Sequence, residues 1–252
     1  MKPASRKTTL KKYREKRNFD KTPEPAGSAR PKVGAQKNSH PLFFCVQKHL
    51  ASRLHYDFRL EHRGVLLSWA VPKGPSLKPA DKRLAMRVED HPVEYGEFEG
   101  VIPEGYGAGI VMLWDRGTWT PEIESIDAAL EKGELKFKLN GYKLKGSWVL
   151  IRTGRTGRMG RTEADGESKS WLLIKHRDEW SGDVDITAFA PRSIKSDCDF
   201  EHILARENPD VWKAQRESGG KPMNRQLEEI IAKAAVLKNT KATQVSPKRR
   251  AR

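Results

Sequence analysis

Cysteine is scarce here: Cys45 and Cys198 are the only two and lie far apart, so no disulfide framework braces the fold and a reducing compartment is expected. No apolar run approaches the ~18 residues that span a bilayer. The basic N-terminus MKPASRKTTLKKYREKR also lacks the apolar stretch of a secretory signal. The cytoplasm, beside the nucleoid, is the expected location. Acidic side chains are outnumbered, 33 Asp and Glu against 48 Lys and Arg, and the net charge of +15 suits a polyanion such as nucleic acid or an anionic membrane surface. No thiolate set exists for a structural zinc site, and no GxGxxG or Walker loop opens a helix. The glycines of IPEGYGAGIV fall between strand-like runs and read as a tight turn whose backbone approaches a site.

The 252 residues are 37% hydrophobic, enough for a modest core, and the apolar and aromatic residues concentrate between about Pro41 and Ala190. The expected layout is a basic arm and linker over 1–39, one domain over 40–192, and a C-terminal extension over 193–252, partly helical or disordered. Alternating runs predict strands at FFCVQKH, LHYDFRL, VLLSWAVP, KRLAMRVEDHP, GIVMLWDRG, ELKFKLNG, KLKGSWVLIRT and SWLLIKHRD, with a turn at EHRG. Helical patterning appears at LKKYREKRNF, SIDAALEKG, DFEHILARE and NRQLEEIIAKAAVLK. Many short strands without regular β-α alternation indicate a mainly β fold, an antiparallel barrel or sandwich with a few short helices and flexible basic tails. The seven Trp residues sit in strand-like runs and read as core.

In LHYDFRL, strand geometry puts Leu54, Tyr56, Phe58 and Leu60 on one face and His55, Asp57 and Arg59 on the other. The first face is core. With His49 the second gives H-x5-H-x-D, a nitrogen and oxygen ligand set for Mn, Fe, Zn or Co. The alternative is a solvent-facing polar strand with Asp57 paired to Arg59 or Arg53. Arg59, Lys73, Arg83 and Arg87 follow nearby, and cations beside a divalent ion favour a phosphate group. In KRLAMRVEDHP, Leu84, Met86 and Val88 form the expected apolar back, with Arg83, Arg87, Glu89 and His91 in front. There His91 could donate a proton to a leaving oxygen or steady a phosphate, or could simply end a strand before Pro92.

Together the words FCVQKHLASRLHYDFRLEHRGVLLSWAVPKGPS, KRLAMRVEDHPVEYGEFEGVIPEG and WDRGTW resemble the 3′-phosphoesterase domain of bacterial DNA ligase D, over about Tyr13 to Pro191. The remaining residues leave no room for a polymerase or ligase module, so a free-standing member is expected. The resemblance implies a compact β-barrel with an interior groove that binds manganese, or another divalent transition metal such as cobalt, and a DNA or RNA-tipped DNA 3′ end. It implies removal of a terminal ribonucleotide and then of the 3′-phosphate, so that ends can be sealed in non-homologous end joining alongside Ku and a ligase. A monomer with no membrane attachment is expected.

Carried onto this sequence, the resemblance makes His49, His55 and Asp57 the metal ligands. Arg59, Lys73, Arg83 and His91 become phosphate-contacting residues, and Glu89 and Tyr95 belong to the site. The arm KRNFDKTPEP resembles a segment that folds over the active site and supplies Arg17 and Glu24. Asn18 stands where the family usually has Asp, and PEGYGAG is one residue shorter than the usual PEGxYGAG. Loss of a metal ligand is expected to stop turnover with little loss of fold, an exposed metal site contributing little core. Two rivals remain: a non-catalytic DNA-end binder or recruitment module, and an iron oxygenase using His55, Asp57 and His91.

Overall fold

The computed structural model describes residues 10–27, 41–153, 168–206 and 225–244. The tails expected to be flexible, most of the linker before Pro41 and the Gly/Arg-rich run after Thr153 lie outside the described residues. In chain order the strands are β1 (Leu42–Leu50), β2 (Leu54–His62), β3 (Val65–Val71), β4 (Arg83–Arg87), β5 (His91–Pro92), β6 (Gly100–Ile102), β7 (Gly109–Pro121), β8 (Glu134–Gly141), β9 (Lys145–Arg152) and β10 (Ser170–Lys175). Among the described residues five helices accompany them: α1 (Lys11–Glu15), α2 (Ile126–Lys132), α3 (Ile186–Phe189), α4 (Phe200–Ala205) and α5 (Arg225–Gln244), with a 3-10 turn at Val93–Glu97.

Each strand of the wall pairs antiparallel with the next in the order β1, β2, β3, β4, β10, β9, β8, β7, and β7 pairs back onto β1. Eight strands therefore close a barrel with no free edge in the ring. Short β5 and β6 attach outside it, on β3 and β7. The β2–β3 hairpin turns on Arg63 and Gly64, both with positive φ, the primed-turn geometry that matches strand twist. Helix α2 starts where Ser125 Oγ accepts from the Ala128 N–H and stops at left-handed Gly133.

Alternation fills the lumen. Phe44 and Val46 of β1, Phe58 and Leu60 of β2, Leu67 and Trp69 of β3, Phe137 of β8, and Trp148 and Leu150 of β9 join one buried cluster. The Phe58 and Phe137 rings lie 5.9 Å apart although β2 and β8 are not neighbours, so this cluster is the barrel interior. The C-terminal helices pack onto it through Phe200, Ile203, Leu204, Leu227, Ile230, Ile231 and Ala234.

Two expectations are corrected. Leu84 and Met86 are not an apolar back: they are 43% and 36% exposed, while Ala85 between them is buried. Ala85 pairs with Trp171, and Trp69 and Trp171 meet at 6.0 Å, so the lumen there admits only a small side chain. The lumen is also full of apolar side chains, which leaves no interior groove. Gln47, His49, His55, Asp57 and Arg59 have the opposite parity to the core and lie on the outer wall, under a second cluster of Tyr13, Cys45, Leu66, Tyr95 and Leu113.

Candidate active site

The centre of the outer wall is built by two adjacent strands. Register sets His49 of β1 opposite His55 of β2, with ring centroids 4.8 Å apart, and Gln47 opposite Asp57. His49 Nδ1 lies 3.5 Å from Asp57 Oδ2, and His55 Nε2 lies 3.7 Å from Asp57 Oδ1. The far nitrogen of each ring faces a carbonyl: His49 Nε2 is 2.9 Å from Gly107 O, and His55 Nδ1 is 3.0 Å from Arg53 O. A carbonyl can only accept, so those nitrogens carry the N–H, and the near nitrogens turn lone pairs toward the carboxylate.

Three electron-pair donors thus converge with no proton between them, all within 4.8 Å of one another. Ligand atoms about 2.1 Å from one ion at tetrahedral or octahedral angles stand roughly 3.0–3.4 Å apart, a spacing that the two His–Asp separations of 3.5 and 3.7 Å approach. The carbonyls supply the outer hydrogen bonds that fix tautomer and ring orientation in metal centres. Burial alone would raise the Asp57 carboxyl, but the adjoining Arg59 guanidinium outweighs it and holds it well below the usual carboxylate range. Burial lowers His55 despite the pull of Asp57, which keeps its near nitrogen free to ligate. His91 is not in this group, so among the described residues the His55, Asp57 and His91 triad is not assembled.

Arg59 is 2% exposed and held on three sides. Its Nε donates to Gln47 Oε1 at 2.8 Å, Nη1 to Ser68 Oγ at 2.8 Å and Nη2 to Asp57 Oδ2 at 3.1 Å. Gln47 is itself fixed, donating through Nε2 to the Tyr95 and Phe98 carbonyls at 2.9 Å each. Two of the five guanidinium protons, one on each terminal nitrogen, remain for a ligand.

The N-terminal arm roofs one side. Arg17 Nε donates to Glu24 Oε1 at 2.9 Å, Nη1 reaches Glu89 Oε1 at 3.3 Å, and Nη2 sits 3.2 Å from His91 Nε2. An arginine can only donate, so His91 Nε2 bears a lone pair and its proton sits on Nδ1, which donates to the Glu89 carbonyl at 2.9 Å. Burial, with Arg59 and Arg17 nearby, pushes His91 well below its ordinary value. In this arrangement His91 therefore presents a lone pair, not a proton, at Nε2. Within the arm the Tyr13 hydroxyl donates to Pro25 O at 2.7 Å, its ring meets those of His91 and Tyr95 at 5.0 and 6.0 Å, and Lys16 binds Glu89 at 3.0 Å.

A domain family described as DNA Ligase D 3′-phosphoesterase domain matches residues 47–152, which contain His49, His55, Asp57, Arg59 and His91. The barrel of this chain belongs to that family. Over 222 residues, 84% of the chain, it is 46% identical to the multifunctional non-homologous end joining protein LigD of Pseudomonas aeruginosa. It is 46% identical over 145 residues to the LigD of Mycobacterium tuberculosis, and 39% over 176 residues to that of Mycolicibacterium smegmatis. The chain spans only 24%, 18% and 21% of those relatives.

Not every residue carried over from the family resemblance meets the centre. Arg17, Glu24, Arg59, Glu89, His91 and Tyr95 adjoin one another: the Tyr95 ring lies 4.8 Å from His91, with the Arg59 guanidinium over its face at 4.9 Å. Lys73 is exposed beyond the end of β3 and makes no ion pair among the described residues. Arg83 pairs with Asp81 at 3.0 Å. Register sets Tyr56 opposite Val71 and Ala70 opposite Met86, which carries Lys73 and Arg83 to the rim where His55 lies. Asn18 is exposed and accepts from the Asp20 N–H, shaping the arm's turn.

Sequence reasoning missed Gln47, Ser68, Tyr13 and Lys16. The first two had a readable signal: Gln47 shares parity with His49, and Ser68 falls opposite Arg59 in β3. The expected exposure of the metal site is corrected: His49 and Asp57 are buried, and Asp57 is paired to a buried arginine.

Proposed function

We propose that this protein is a metal-dependent phosphoesterase that heals DNA 3′ ends, removing 3′-terminal ribonucleotides and 3′-phosphates for non-homologous end joining. The observation that carries it is the convergence of two tautomer-fixed imidazoles and a carboxylate beside a buried arginine with free N–H groups, within a 3′-phosphoesterase family domain. His49, His55 and Asp57 would hold the ion, manganese by preference or cobalt. When bound, such an ion polarises a phosphoryl oxygen and favours a hydroxide-like nucleophile.

The chain's own groups do the rest. Arg59 is positioned to grip a phosphate through its two remaining protons, and its fixed neighbours mean that it need not reorganise as charge develops. Lys73 and Arg83 extend that cationic rim. The Nε2 lone pair of His91 is placed to accept a proton once Arg17 turns to the phosphate, while Glu24 and Glu89 hold Arg17 in waiting. Tyr95 walls the pocket. Residues 40–192 are taken as the phosphoesterase unit, 1–39 as its arm and 193–252 as an extension. Ku, a DNA ligase and a monomeric state in the cytoplasm, at the nucleoid, complete the reading; no described helix is long and apolar enough to cross a membrane.

The test is a duplex primer ending in one ribonucleotide, incubated with Mn²⁺ or with EDTA and resolved on a gel. The expected ladder loses the ribonucleotide, passes through a 3′-phosphate and ends at a 3′-hydroxyl, only with metal. Binding that ignores EDTA with an unchanged terminus would instead identify a recruitment module.

A further inference from the structure

The aromatic rings that line the site are buried, Tyr13 to 0% exposure and Tyr95 to 2%, with one exception. Tyr106 is 48% exposed and stands at the tip of the turn between β6 and β7. Gly105 and Gly107 on either side take φ of +83° and +81°, a region that glycine enters freely, so the turn thrusts the intervening side chain outward. The next carbonyl along, that of Gly107, is the one that holds His49. The Lys16 ammonium lies 4.3 Å from the Tyr106 ring centroid and the Arg17 guanidinium 5.6 Å. Lys21 pairs with Glu104 at 2.9 Å and ties the arm to the same turn. Among the described residues the other exposed aromatics, Tyr142, Trp180 and Phe189, sit on elements that carry none of the site.

We propose that Tyr106 is a stacking platform for the nucleobase of the 3′-terminal nucleotide, which would stack on the face opposite the one Lys16 covers, with Lys16 and Arg17 meeting the adjoining backbone phosphate. This rests on the 3′-end reading above and adds what holds the end in place. An exposed ring flanked by cations, one residue from a carbonyl that orients a candidate metal ligand, supplies the two elements of single-strand recognition: a π-face for a base and positive charge for the backbone. Stacking is sequence-tolerant, since every base has a π-face, so little preference among the four bases is expected.

The test compares the wild-type protein, Tyr106→Phe and Tyr106→Ala on two Mn²⁺-supported substrates, a primer ending in a normal ribonucleotide and the same primer ending in an abasic ribose. Tyr106→Ala should raise KM on the normal end about tenfold or more, with kcat and Mn²⁺ affinity unchanged. Tyr106→Phe should stay within about twofold, and on the abasic end all three proteins should coincide. An unchanged KM for Tyr106→Ala on the normal end overturns the assignment. So does an equal rise on both ends, or weakened Mn²⁺ binding, because either makes Tyr106 a prop for Gly107 and His49. A wild-type protein inactive on both ends removes the 3′-end reading and this inference with it.

Discussion

Replacing Asp57 with alanine perturbs the fold as well as the chemistry, and the size of the effect follows from the burial of its partner. Arg59 is 2% exposed and its guanidinium meets Asp57 Oδ2 at 3.1 Å. Without the carboxylate that charge stays buried beside two imidazoles, and breaking a buried pair in this way costs about 3–5 kcal/mol. For a chain of this length that is a drop in Tm of roughly 6–20 °C. The measurement is thermal or urea unfolding in EDTA, so that a bound ion does not contribute to either protein. The pH should be near 7: Asp57 titrates well below the usual carboxylate range in the fold, so its contribution is full above the unfolded value of about 4 and fades only as pH falls through the folded one. The double variant Asp57→Ala/Arg59→Met should recover most of the loss while remaining inactive. A single variant melting within about 2 °C of wild type, or a double variant no more stable than the single, refutes the reasoning.

Two further outcomes are expected. Burial pushes the Asp115 carboxyl up to about 6 against the pull of the Leu144, Lys143 and Arg116 N–H groups, so its contribution is full below the unfolded value and is lost as pH rises through 6. The stability of wild type relative to Asp115→Asn should therefore fall by on the order of 1–3 kcal/mol between pH 4 and 7, and a difference in urea unfolding that is flat or rising refutes it. In β4, Ala85→Leu should cost about 1–3 kcal/mol by overfilling the lumen beside Trp171, and Leu84→Thr on the outer face less than about 0.5; the reverse ranking would put Leu84 inside.

The pattern of β2 was legible because its two faces differ in kind, Tyr56, Phe58 and Leu60 against His55, Asp57 and Arg59. Strand β8 reads as cleanly, with Leu135, Phe137 and Leu139 buried and Lys136 and Lys138 exposed. In β4 the same rule misled, because a closed barrel has a lumen of fixed width. The two tryptophans at that level claim the space that Leu84 or Met86 would need, and the smaller Ala85 goes in. Size in one strand is set by its neighbours across the lumen, a long-range fact that periodicity does not carry. Strands β5 and β6, two and three residues long, are too short to leave a period at all.

Range in sequence also divides the site into two parts with different physical dependence. The three donors belong to one hairpin, joined by Ala51, Ser52 and Arg53, so the register that closes β1 on β2 sets His49 beside His55 and Asp57 one step along. That half could be read directly from the spacing H-x5-H-x-D. The contacts of Arg17 with Glu89 and His91 span 72 and 74 residues, and Gln47 reaches the Phe98 carbonyl across 51. These require the finished wall and the arm laid over it. The arm is held by a handful of hydrogen bonds around buried charge and by the apolar side chains of Leu10, Tyr13 and Phe19. Opening the arm would therefore part Arg17 from His91 and leave the donor set standing, since the donors depend only on the β1–β2 register.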